Sequence, residues 1–178
     1  MSKLLVPVVA AALCAGSVVA PPIAAAAIVG PHAADCAAGS EKPAMLVRVL
    51  GLKARTGLVR VQSYGGDPDH YFDKGTYIER VEVPAPASGA LDVCMVVPAP
   101  GKYAISIRHD VNGSGKSDMS DGGGFSGNPN VSLMDVVFKR RPSPAQVEVK
   151  VAGVTKVPVI LNYIQGGAVK PVASAERP

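Results

Sequence analysis

The sequence predicts an all-β protein, a single seven-stranded antiparallel β-sandwich of immunoglobulin- or transthyretin-like type. Between Ala44 and Tyr163 apolar residues recur with period two in seven segments, the spacing that puts alternate side chains on one buried face. No segment of any strength carries the 3.6-residue period of an amphipathic helix. Glycine and proline turn signals separate the segments, as short strands of a sandwich require. With 178 residues, 48% of them hydrophobic, the chain can bury one good core but hardly two, so one domain with tails is expected.

Strands are expected at Met45 to Leu50, Leu58 to Tyr64, Tyr77 to Val83 and Leu91 to Val97. Turn chemistry lies between them in Gly51 to Gly57, Ser88-Gly89 and Pro100-Gly101. The fifth strand sets Tyr103, Ile105 and Ile107 against Ala104, Ser106 and Arg108 and runs to His109. Val147, Val149 and Val151 mark the sixth; Val157, Val159, Leu161 and Tyr163 mark the seventh, with Ala152-Gly153 as the final hairpin between them. A single turn near Ser132 to Asp135 is the one helix candidate and is not counted as an element. In Pro-Gly-x-Tyr, Tyr103 is positioned to seal the core edge with its ring while its hydroxyl bonds backbone.

The amino terminus has the pattern of an export signal: Lys3, an apolar run from Leu4 to Val19, and small residues through Ala27. Pro7, Pro21 and Pro22 interrupt the apolar run, which argues against an uncleaved anchor. Leu13 before Cys14 and Asp35 before Cys36 lack the small residue of a lipoprotein site. The expected organisation is therefore a signal at 1–27, a flexible lead-in at 28–44, the sandwich at 45–164 and a disordered tail at 165–178. Signal removal takes Cys14 away and leaves Cys36 and Cys94 in an oxidising compartment, secreted or periplasmic, where a disulfide between them is the economical reading.

The formal charge of +4 resides largely in Lys139, Arg140 and Arg141, and aromatic content is 4% with no Trp. That composition offers no stacking surface, so no nucleic-acid partner is expected. The loop after the fifth strand is more specific. Asp110, Asn112, Ser114, Lys116, Asp118 and Asp121 occupy positions one, three, five, seven, nine and twelve of a twelve-residue loop, with Gly115 at position six. Side-chain oxygens from Asp110, Asn112 and Asp118, with the Lys116 carbonyl and a water, would suit a hard cation, so calcium is the one cofactor the sequence suggests. Asp121 replaces the usual bidentate Glu and no helices flank the loop; Asp110 holding the backbone of its own turn explains the same residues.

Catalytic motifs fail on inspection. Gly115-Lys116-Ser117 ends like a phosphate-binding loop, but Asp110 stands where its leading glycine belongs. Gly124-Phe125-Ser126-Gly127 has Asn128 where a nucleophile elbow has its second glycine. His109, Asp121 and Ser126 could serve as base, orienter and nucleophile of a hydrolase only if they converged, so that class is the alternative. The simpler reading makes Tyr103, His109, Phe125 and Asn128 structural, with Phe125 folding the glycine-rich loop back over the protein.

The strings MLVRVLGLKARTGLVRVQSY (Met45 to Tyr64), PAPGKYAISIRHDVNGSGKSD and DGGGFSGNP resemble the secreted bacterial family of domain of unknown function 2141. The resemblance spans Met45 to Tyr163 and is most specific at Gly101-x-Tyr103, His109-Asp110-x-Asn112-Gly113 and Gly124-Phe125-Ser126-x-Asn128. It implies a compact extracytoplasmic β-sandwich; Ser114 departs from the Asn common there, which weakens one potential ligand. The expected role is a non-enzymatic accessory or interaction module for a protein or cell-envelope partner, with no stable membrane anchor after signal cleavage.

Overall fold

A computed structural model describes residues 27–173. All of the expected signal segment but Ala27, and the last five residues of the expected tail, lie outside them. The described residues form eleven strands in two sheets with two short α-helices, so the all-β expectation holds while the count of seven strands does not.

The small sheet has the order β1 (Ile28–Val29), β5 (Leu91–Val96), β2 (Ala44–Leu50), β9 (Val154–Ile160). The large sheet runs β11 (Ala168–Pro171), β10 (Asn162–Gln165), β7 (Gly122–Phe125), β6 (Gly101–Asp110), β3 (Leu58–Tyr64), β4 (Glu79–Pro84), and β8 (Val149–Val151) adds to the start of β6. Pairing is mostly antiparallel, but β1 runs parallel to β5 and β2 parallel to β9, which corrects the wholly antiparallel expectation. Period-two alternation is the same in either direction, so it carries no information on polarity.

The two sheets enclose one core. Met45, Val47, Val49, Val93 and Met95 of the small sheet meet Val59, Val61, Ile105 and Ile107 of the large one, all nearly or fully buried. Ile28, Leu46, Val96 and Val154 pack around the Cys36–Cys94 disulfide in a separate small cluster. The lead-in, expected to be flexible, is thus tied down by β1, a 3-10 turn at Ala33–Cys36 and the disulfide.

Five further expectations are corrected. The expected final hairpin at Ala152-Gly153 is a crossing between sheets, because β8 pairs with β6 while β9 pairs with β2. The single strand expected through Tyr163 divides at Leu161: β9 lies in the small sheet and β10 in the large one. The expected tail contains β11, which closes on β10 through Gly166 and Gly167, both at positive φ (59° and 78°) as a type I′ hairpin requires. The chain at Ser132 does form α1 (Leu133–Val137), with a capping box between Ser132 and Asp135, and Val147 ends α2 (Pro144–Val147) instead of opening a strand.

The glycine-rich return is itself a strand. Gly122–Phe125 forms β7 between β6 and β10, although glycine is depleted in strands. A Cβ on Gly122 would stand 2.3 Å from the Tyr163 ring, and one on Gly124 would stand 2.8 Å from Val159 and 2.9 Å from the Ile160 carbonyl oxygen. These two inward positions are glycine because the core side chains and the crossing chain pass directly over them.

Candidate functional site

β6 ends at Asp110, which is buried, and the loop that follows is organised around its carboxylate. Asp110 Oδ1 accepts from the Ser114 amide at 3.0 Å, Oδ2 from the Gly115 amide at 2.9 Å, and the Arg108 guanidinium lies 3.0 Å from Oδ2. Both carboxylate oxygens are engaged, and the positive φ of Gly115 (74°) lets the chain fold over them. Asn112 Oδ1 accepts from the same Ser114 amide at 3.0 Å, and its Nδ2 donates to Asp118 Oδ2 at 2.8 Å. Ser114 Oγ lies 2.9 Å from the Lys116 carbonyl oxygen and 3.4 Å from Asp118 Oδ2.

Four of the six candidate ligands therefore gather on one another: Asn112, Ser114, the Lys116 carbonyl and Asp118. The other two, Asp110 and Asp121, spend their carboxylate oxygens on backbone amides of the loop. Asp121 Oδ1 accepts from the Val111 amide at 3.3 Å and Oδ2 from the Asp118 amide at 3.4 Å. Hydrogen bonds from Ser120 and Asn112 hold the exposed Asp118 carboxyl down at about 2, whereas burial pushes Asp121 above the usual carboxylate range. Among the described residues, no cluster of three His, Cys, Asp or Glu side chains has metal-ligating geometry.

His109 and Ser126 are both fully buried, and each is committed to the fold. His109 Nε2 lies 2.9 Å from the Thr56 carbonyl oxygen, which can only accept, so Nε2 donates and Nδ1 accepts from the Tyr163 hydroxyl at 2.7 Å. The Tyr163 oxygen accepts in turn from the Lys53 amide at 3.1 Å, and burial pushes that phenol up to about 12. This chain of bonds ties the β2–β3 loop to β6 and β10. Ser126 Oγ accepts from the Ile105 amide at 2.9 Å and donates to the Val147 carbonyl, joining β6 to α2. Ile105 and His109 are four residues apart on β6, about 13 Å at strand spacing, so the His109 and Ser126 side chains do not converge.

The remaining loop residues close edges of the structure. The Tyr103 hydroxyl donates to the Ala99 carbonyl at 2.6 Å, the backbone bond expected for it. Asn128, at positive φ (49°), donates to the Pro158 carbonyl at 3.0 Å and accepts from the Ile160 amide at 2.7 Å. Its amide thus stands in as a strand partner for the outer edge of β9, a role that no local pattern announces. Phe125 packs on the outer face of the large sheet, its ring 4.9 Å from that of Phe72, beside Tyr64 and Tyr71.

One family model matches the chain over residues 47–157, that of an uncharacterized protein conserved in bacteria, domain of unknown function 2141. No curated protein and no solved structure matches.

Proposed function

The chain belongs to this bacterial family, and from that premise we propose that it is an exported, non-enzymatic accessory or interaction module on an immunoglobulin- or transthyretin-like sandwich. The observation that carries the reading is the commitment of His109 and Ser126, the side chains a hydrolase would need, to buried structural hydrogen bonds. A nucleophile must be reachable by substrate and must pair with its base; these two do neither. The buried Cys36–Cys94 disulfide supports a secreted or periplasmic location, where such bonds persist.

Within this reading the Asp110–Asp121 loop is a self-bonded turn that takes calcium only weakly, at about the 10⁻⁴ to 10⁻³ M of extracellular modules. A serine-directed fluorophosphonate probe tests the non-enzymatic proposal: no labelling of Ser126 is expected in the native protein. Stoichiometric labelling of Ser126 that is lost in His109→Ala would return the protein to the hydrolase class.

A further inference from the structure

The outer face of the large sheet is only half covered. Phe72 and Tyr71 from the β3–β4 connection and Val147 from α2 close the part over Tyr64 and Ala104. Beside that cover lies a groove of about 350 Å³, within the range of small-molecule sites. Its floor is β7, and one row across it reads Arg108, Gly123, Asn162 on β6, β7 and β10.

Gly123 is the informative residue. Unlike Gly122 and Gly124 it points outward, its φ is an ordinary one for any residue, and a Cβ there would meet nothing nearer than the Ile107 carbonyl oxygen at 3.8 Å. The fold has no need of glycine at this position, and glycine costs a strand stability. Its effect is to leave the middle of the groove bare, which a flat ligand lying against the backbone would require.

The two ends of the groove differ in character. Tyr64, Phe72 and Phe125 give one end aromatic walls, while Asp118 and Asp121 line the other. Asp121 and Phe125 bracket β7 four residues apart, about 13 Å. Arg108 also lines the acidic end, but it is paired with Asp110, so Asp118 and Asp121 leave that end negative, and the loop's Lys116 is not part of the lining. Aromatic faces and carboxylates both attract cations.

We propose that this groove binds a small organic cation with a flat apolar body, the ring lying over Gly123 toward Phe125 and the ammonium group toward Asp118 and Asp121. The proposal is separate from the calcium reading, and its test is run in calcium-free buffer with chelator. Tryptamine is titrated into labelled protein and followed by amide chemical shifts and calorimetry, with indole-3-propionate as the anionic counterpart. Tryptamine is expected to shift the amides of Gly123, Phe125 and Asn162 and to bind at least tenfold tighter than the anion. Gly123→Leu is expected to fold with an unchanged or higher Tm and to weaken tryptamine at least tenfold; Asp118→Asn is expected to remove most of the preference for the cation. Millimolar tryptamine that leaves those amides unmoved, an anion that binds equally well, or a folded Gly123→Leu protein that binds as the wild type does would each overturn the proposal.

Discussion

Asp110 is a buried carboxylate whose two oxygens serve two backbone amides and one guanidinium. Asp110→Ala removes all three contacts and leaves Arg108 without its counter-charge, which should cost about 2 kcal/mol in urea unfolding. A self-bonded turn gives that loss with and without calcium. The weak calcium binding proposed for the turn adds to this a small rise in Tm at millimolar calcium in the wild type and not in the variant, and a wild-type Tm that calcium leaves unchanged would remove the ion from the proposal. Asp118 gives the pH dependence. Its folded value, about 2, lies below the ordinary 3.8, so its contribution is present above pH 4 and is lost as pH falls from about 4 to 2. Melting scans across that window should show a fall in Tm that is shallower in Asp118→Asn. At this scale the sequence was informative where residue chemistry limits the choice: Cys36 and Cys94 are the two cysteines outside the expected signal, and they pair with one another, and Pro-Gly-x-Tyr placed the Tyr103 hydroxyl on backbone. The His109 bonds to Thr56 and Tyr163, more than fifty residues away in each direction, depend on the folded sheet and leave no mark in the local pattern.

Strands that carry an apolar alternation were legible. β3 matches its expected bounds, and β2, β5 and β6 differ from theirs by no more than two residues at either end. β7 was hidden because its signal is an absence of side chains, and only the structure supplies the reason, Tyr163 and the β9–β10 crossing passing over Gly122 and Gly124. Gly122→Ala and Gly124→Ala should therefore each destabilise by about 1 to 3 kcal/mol through overpacking. Gly123→Ala should stay within about 1 kcal/mol of the wild type or exceed it, and chemical unfolding of the three variants checks the contrast. β11 could have been found from Gly166-Gly167 between apolar residues, a two-residue hairpin signal. The division at Leu161 could not, since the alternation continues unbroken while the chain changes sheets.

For the whole molecule, far-ultraviolet circular dichroism should show a β-dominated spectrum, with helix content far below the third typical of globular domains. The disulfide joins residues separated by 58 positions. Cross-linking that loop contributes about 4 kcal/mol in the chain-entropy model, so Cys36→Ser with Cys94→Ser should unfold at markedly lower denaturant than the oxidised protein. The predominance of β structure was legible from the alternation; the two parallel pairings were not, because parallel partners are joined by long connections that no local turn signals. The β2–β9 ladder also governs the order of assembly. Each residue of β2 waits for a partner 110 positions later, from Ala44 with Val154 to Leu50 with Ile160. During synthesis the small sheet therefore cannot close until β9 has emerged, and closing so long a loop slows folding. Until then β2 can pair with β5 on one side while its other edge stays open, a template for another strand.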